Sequence, residues 1–435
     1  MTRVEEFFEF AKHGTTLRRE VLAGLTTFMT MSYILVVNPA ILTAAGIPAG
    51  ASLVATIITA AVGTLLMGVY AKRPFAVAPY MGENAFIAYT VVRVLGLSWQ
   101  AALGAVFLAG CVFLLMTVLK LRQWLVGAIP KTLRYSFAVG IGLFLTFIGL
   151  NDSGIVALGV AGAPVKPGNL TSLPVLLAIL GFVLITILII HRFPGAILAG
   201  ILVVTILSMV LRVAPPPHGF VSMPPSIAPI LFKLDFRHVF TWAFFPIVLT
   251  IFVMAFVDTM ATLIGVSARA GLLDEEGNLP QIERPMTVDA ISTMLAALVG
   301  TTTSGAFLES AAGVEAGGRT GMTSVVTALC FVLALFFSPF VASVPPQAYG
   351  PALIIVGLMM FAPVVHIPFN DYTEVVPAFV VVALMSFTFN VGIGMTAGFV
   401  LYPLCKLAAG RWKEVRPGLW VLGGLSLLFF VFYPY

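Results

Sequence analysis

The sequence predicts an all-α polytopic membrane protein of fourteen transmembrane segments, arranged as a 7+7 inverted repeat with the third segment of each set broken. Three observations predict it. Hydrophobic residues make up 60% of the 435 positions and charged residues only 9%, with a mean hydropathy of +1.07, far more apolar than a soluble domain. Twelve stretches reach the roughly 20 mostly apolar residues that a helix needs to cross a bilayer. Two shorter stretches, 75–95 and 305–318, are interrupted by glycine and stand third in each group of seven.

In chain order the full-length segments are 18–44, 51–70, 99–120, 130–150, 172–191, 193–212, 238–266, 285–303, 320–343, 346–364, 372–389 and 391–408. The first seven segments make a repeat over 1–212 and the second seven a repeat over 238–408, followed by a tail, 409–435. The two broken segments echo one another, Gly-Glu-Asn-Ala-Phe at 82–86 against Leu-Glu-Ser-Ala-Ala at 308–312. An odd number of spans per half forces the halves into opposite orientations. With the N-terminus in the cytoplasm, the inner loops collect Arg18, Arg19, Lys72, Arg73, Lys120, Arg122, Lys131, Arg134, Arg192, Arg269, Arg284, Lys406, Arg411, Lys413 and Arg416. The outer side holds only Arg93, Lys166, Arg212, Lys233 and Arg237, the asymmetry expected of cytoplasmic loops. The connections 152–171 and 213–237 read as ordered outer loops, and 274–284 as a solvated inner connector. The apolar run 418–433 reads equally as a further span or as a helix along the interface. The start of the chain lacks an apolar region before a small-residue cleavage site, so no cleaved signal is expected.

The chain is organised around residues 300–321, GTTTSGAFLESAAGVEAGGRTG. Two carboxylates among glycines cannot form an ordinary span. The expected structure is extended backbone running into a half-helix near Leu308, whose free N–H groups point at whatever precedes it. Irregular backbone at membrane depth lines a cavity or is buried in protein, and broken helices near the midplane are where secondary carriers hold substrate. Glu83, Asp258, Glu309 and Glu315 are read as intramembrane acids, which mark pathways because each costs about 3 kcal/mol or more at the bilayer centre. Glu315 has a bland reading, a pair with Arg319. Asn84, with the backbone N–H groups of Ala85 and Phe86 at a second half-helix start, suits a neutral heterocycle because an amide both donates and accepts. Phe86 reads as core packing or as a stacking plate, and Asn38 beside Pro39 as a kink or a cavity contact. Thr262, one turn after Asp258, shares its face.

No Walker motif and no spaced His/Cys cluster appears, so neither an ATP-driven engine, a metal nor a cofactor is expected, and no nucleophile-base arrangement suggests an enzyme. The net charge of +5 follows topology and does not suggest nucleic-acid binding. The expected driving force is a proton gradient acting through Glu309, Asp258 and Glu83, since burial favours a protonated carboxyl.

The stretches TTFMTMSYILVVNPAIL (26–42), APYMGENAFIAYTVV (78–92), DTMATLIGVSARAGL (258–272), TTTSGAFLESAAGVEAGGRTG (301–321) and YPLCKLAAGRW (402–412) together resemble the nucleobase/ascorbate transporters, or xanthine/uracil permeases, and within them the AzgA-like hypoxanthine/guanine/adenine branch. The resemblance implies a core domain (segments 1–4 and 8–11), a gate domain (5–7 and 12–14), and short strands crossing in segments 3 and 10. It further implies proton symport of a nucleobase, an elevator-like movement and a homodimer. The family's acids fall on Asp258 and Glu309, and a shift of one places Ser310 at the substrate-facing spot. The branch's second acid, one turn before Asp258, is Ala255 here, and Glu83 is available to compensate. The expected function is proton-coupled import of purine bases (hypoxanthine, guanine, adenine) across the plasma or bacterial inner membrane. The alternatives are a same-fold carrier of uracil or xanthine, or of an inorganic or carboxylic anion.

Overall fold

The computed structural model describes residues 3–121, 128–160, 163–217, 219–237, 239–241, 244–274 and 279–432. Arg122 of the inner basic set, residues 275–278 of the polar connector, position 238 and Tyr433 lie outside the described residues.

The first expected span is two helices, α1 (Leu17–Met31) and α2 (Ile34–Thr43). The interruption is at Ser32 and Tyr33, seven and six residues before Pro39. There the Ser32 hydroxyl donates back to Met29 O and the backbone tightens to i→i+3 bonds, such as Leu35 N to Ser32 O at 3.1 Å, a local competitor of the helical ladder. Then come α3 (Ala49–Val69), strand β1 (Val77–Pro79), half-helix α4 (Met81–Ala85) and a π-helix, Phe86–Val94. The first half continues through α5 (Trp99–Val118), α6 (Lys131–Asp152), α7 (Leu173–Ile190) and α8 (Ala196–Val210). The connection after α6 contains an antiparallel hairpin, β2 (Val156–Val160) with β3 (Ala163–Pro167).

The second half opens with α9 (Phe245–Ala270), which starts seven residues later than expected, behind Pro246, and ends at Gly271 with φ 64°. Next are α10 (Glu283–Val299), strand β4 (Ser304–Ala306), half-helix α11 (Ser310–Glu315) and α12 (Gly321–Ala334), then α13 (Pro346–Phe361), α14 (Tyr372–Phe387) and α15 (Val391–Ala408). The tail forms α16 (Pro417–Phe432). Among the described residues nine helical stretches are long and apolar enough to cross a membrane, and three shorter apolar helices accompany them.

At the centre β1 and β4 pair antiparallel, Val77 with Ala306, Ala78 with Gly305, Pro79 with Ser304. The surrounding bonds obey a local two-fold. Tyr80 N–H donates to Thr303 O and Phe307 N–H to Ala76 O, both at 2.9 Å. On one side the Thr64 hydroxyl of α3 accepts from Val77 N–H and donates to Val77 O. On the other, the Thr293 hydroxyl of α10 does the same for Ser304. Buried strand ends thus find partners away from water, as membrane depth demands. The two-fold, not the pairing itself, relates Val77 to Ser304 and Tyr80 to Phe307, so Glu83 corresponds to Ser310 and Gly82 to Glu309. The sequence echo, which set Glu83 against Glu309, is off by one residue.

Around this crossing α3 packs on α12, α10 on α5 and α3, and α1 on α12 and α11. Separately, α6 packs on α13 and α14, α14 on α15, and α7 on α8 and α13.

Candidate transport site

The site is built where the paired strands run into their half-helices. After Pro79 the chain turns into α4 at Met81, and the first N–H of α4 to reach a backbone carbonyl is that of Asn84, on Tyr80 O at 3.0 Å. The expected free N–H groups at Ala85 and Phe86 are therefore a misplacement. Phe86 N–H bonds to Glu83 O and Gly82 O, and the open donors belong to Met81, Gly82 and Glu83, because an α-helix leaves its first turn unpaired. Phe86 itself is buried in the core. The second half-helix begins at Ser310, two residues past Leu308, with Glu309 at its cap position. The turn before it is tightened by Ser310 N–H to Phe307 O at 3.1 Å and Ala311 N–H to Leu308 O at 2.9 Å.

Glu83 is completely buried and neither carboxylate oxygen has a partner among the described residues. Asp258, on α9, lies within electrostatic reach of it. Asn84 donates its amide N–H to Asn38 Oδ1, and Asn38 in turn donates to Thr56 Oγ1 at 2.7 Å and Thr301 Oγ1 at 3.2 Å. Asn38 thus holds the Asn84 amide as well as standing next to Pro39, and Asn84 Oδ1 is left without a partner among the described residues. Glu309 accepts the Tyr33 hydroxyl, which the break between α1 and α2 turns toward it. The Ser310 hydroxyl accepts Ala76 N–H at 2.9 Å and anchors the start of β1. Thr262 is buried one turn from Asp258, on the helix that packs against both α4 and α11. Glu315 stands apart. It is exposed and pairs with Arg269 at 3.3 Å, while Arg319 donates to Val314 O and Gly318 O instead.

One buried carboxylate escaped the reading of the sequence. Asp289, on α10, accepts the Thr259 hydroxyl at 2.9 Å and Ala306 N–H at 3.1 Å, and its other oxygen has no partner among the described residues. It lies inside the predicted span 285–303 as a lone acid, so the argument applied to Asp258 would have found it. Tyr80 extends the chain of contacts, its hydroxyl 3.1 Å from Thr259 Oγ1 and its ring stacked on Phe307 at 5.8 Å and 7°. A Cβ on Gly305 would stand 2.3 Å from the Tyr80 hydroxyl and 2.8 Å from Asp289 Oδ2, so only glycine lets β4 come this close. Nothing local in the sequence marks Tyr33, Tyr80, Thr259 or Phe307.

Half-helices that start from the two ends of a buried antiparallel strand pair, faced by acids and amides, define a multi-pass membrane carrier. Residues 18–400 match the Permease family, and the chain belongs to it, among the xanthine/uracil permeases. It is 40% identical to the adenine permease AdeP of Escherichia coli over 99% of this chain and 96% of that protein. It is 38% identical to the guanine/hypoxanthine permease PbuG of Bacillus subtilis over 99% of this chain and 100% of that protein. Among solved structures, the transmembrane domain of the cyanobacterial bicarbonate transporter BicA superposes with a TM-score of 0.66 at 15% identity, over 88% of this chain and 97% of that one, a likeness of fold.

Proposed function

We propose that this permease is a proton-coupled importer of purine nucleobases. The observation that carries the reading is the buried Glu83 carboxylate at the start of α4, which no other residue bonds among those described and which lies within electrostatic reach of Asp258. An unpaired buried anion costs several kcal/mol, so such a group waits for a proton or for ligand N–H donors. Asp258 and Glu309 accept the base's N–H groups, Asn84 and the open N–H groups of Met81 to Glu83 meet its ring acceptors, and Glu83, Asp258 and Glu309 carry the proton. The names of the adenine and guanine/hypoxanthine relatives support purine as the substrate class. The four acids at the crossing, Glu83, Asp258, Asp289 and Glu309, argue against an anion.

The fourteen-segment inverted repeat is supported by the two-fold of bonds about Ala78 and Gly305, and a cytoplasmic N-terminus in the cell membrane by the excess of Lys and Arg in the inner loops. Segments 1–4 and 8–11 would form the moving core of an elevator, and segments 5–7 and 12–14 a gate that pairs two copies, consistent with the two packing groups of helices. The test is uptake of radiolabelled adenine and guanine in cells lacking their own purine uptake. Accumulation is expected to stop when a protonophore collapses the pH gradient. Uptake that follows sodium and ignores the protonophore would overturn the coupling, and no purine uptake would overturn the substrate.

A further inference from the structure

Away from the strand crossing, the structure holds a cavity of about 130 Å³ where the π-helix, the C-terminal end of α6, strand β2 and the α14–α15 junction meet. It is lined by Tyr89, Phe147 and Phe389 together with Ile148, Asn151, Asp152 and Leu158. Phe389 is held firmly. Its backbone is left-handed at φ 53°, its carbonyl accepts the Thr90 hydroxyl, and its ring takes edge contacts from Phe144 at 5.4 Å and Phe147 at 5.1 Å. A non-glycine residue keeps φ above zero only where its surroundings over-determine it. The wall is therefore preformed.

Asp152 supplies the polarity. Its carboxylate has no hydrogen bond or ion pair among the described residues, and the phenols of Tyr89 and Tyr349 are the titratable groups that face it. Aromatic walls around an unpaired carboxylate suit a flat heterocycle with N–H donors, because the rings take its faces and edges while the two oxygens accept adjacent N–H groups. The volume is well below the 300–1,000 Å³ of pockets for drug-sized ligands, which limits the occupant to one or two fused rings. Tyr89 lies six residues from Glu83 on the same continuous helical stretch, no more than about 9 Å along its axis at ~1.5 Å per residue.

We propose that this cavity is a second, separate binding site for the purine base, with Asp152 as its polar anchor and Phe147, Phe389 and Tyr89 as its walls. The inference rests on the purine reading above. An occupant touches both the π-helix and Phe389, the two elements joined by the Thr90 bond.

The experiment uses the full chain with Cys111, Cys330 and Cys405 replaced by Ala and a single reporter, Leu158→Cys, on the exposed rim. The purified protein is labelled with a maleimide with and without adenine, and tritiated adenine binding is measured on the same preparation. Adenine at several times its Kd is expected to slow labelling roughly threefold or more, as occupancy dictates. The protection should persist when Glu309→Gln is added and vanish when Asp152→Asn is added, while Asp152→Asn still binds tritiated adenine. Adenine binding without any protection overturns the site. So does protection that is lost with Glu309→Gln and kept with Asp152→Asn, which would assign it to the crossing alone. Failure of the preparation to bind adenine at all overturns the substrate reading instead.

Discussion

Glu309 and Asp258 differ in how they are held. The first already accepts Tyr33's hydroxyl, whereas no bond from another residue to the second, or to Glu83 within electrostatic reach of it, appears among the described residues. A carboxylate accepts two N–H donors side by side, and an amide replaces one acceptor with a donor that clashes. Leaving a buried ligand N–H unpaired costs roughly 1–3 kcal/mol, or up to about two decades in affinity. We expect Glu309→Gln and Asp258→Asn to reach the membrane in normal amount yet lose high-affinity purine binding by that factor, with Glu309→Asp retaining part. Equilibrium binding on purified protein checks this. Unchanged affinity with accumulation lost would confine both acids to proton transfer. For Glu83→Gln, a loss of about one to two orders of magnitude in transport is expected, the scale of one charge-assisted hydrogen bond, and wild-type kinetics would make it a structural acid.

At the scale of elements, the strand crossing depends on two threonines that each satisfy both backbone groups of one strand residue, Thr64 for Val77 and Thr293 for Ser304. Thr293→Val keeps the shape and strips the hydroxyl, leaving a buried N–H and C=O unpaired at a cost of about 1–3 kcal/mol each. A clear fall in the thermal midpoint of detergent-solubilised protein is expected for Thr64→Val and Thr293→Val alike, and an unchanged midpoint would show that other groups satisfy the strand ends. Close approach matters as much as hydrogen bonding. A Cβ on Gly313 would lie 1.9 Å from Thr27 Oγ1 and 2.7 Å from Ala23 O, so α11 rests directly on α1. We expect Gly313→Ala to destabilise by roughly 1–3 kcal/mol through overpacking, read in the same melt.

At the scale of the molecule, an ionic cluster ties together the start of α14, the end of α15 and the turn before α16. Buried Lys406 meets Glu374 at 2.6 Å and Glu414 at 3.0 Å, and Arg411 meets Asp371 at 2.6 Å and Glu414 at 2.6 Å. The Thr373 and Arg411 hydrogen bonds hold the Asp371 carboxyl below the usual carboxylate range, and those from Arg411 and Lys406 do the same for Glu414. A depressed folded value means the stabilisation is present above the unfolded carboxylate range of about 4 and is lost as pH falls below it. Thermal midpoints should therefore drop between pH 5 and pH 3 by more in the native chain than in Arg411→Ala. Equal slopes would show that the cluster adds no pH dependence.

Much of the architecture was legible because hydropathy is local and additive. The apolar runs mark where helices lie, and the glycine-rich breaks at 75–95 and 300–321 mark where they cannot continue. The same reasoning singled out Glu83, Asp258 and Glu309, because an acid in an apolar run stands out, but it passed over buried Asp289 and took in Glu315, which the structure leaves exposed. What only the tertiary structure decided are relations between distant residues. The two-fold about the paired β1 and β4 set the correspondence of the halves one residue away from the sequence echo. The pairing also placed Asp289 against Ala306 N–H and started α4 at Met81. The contact of Tyr33 with Glu309 spans 276 residues. No periodicity within a segment encodes such contacts, because they depend on which surfaces close against each other once the helices have packed.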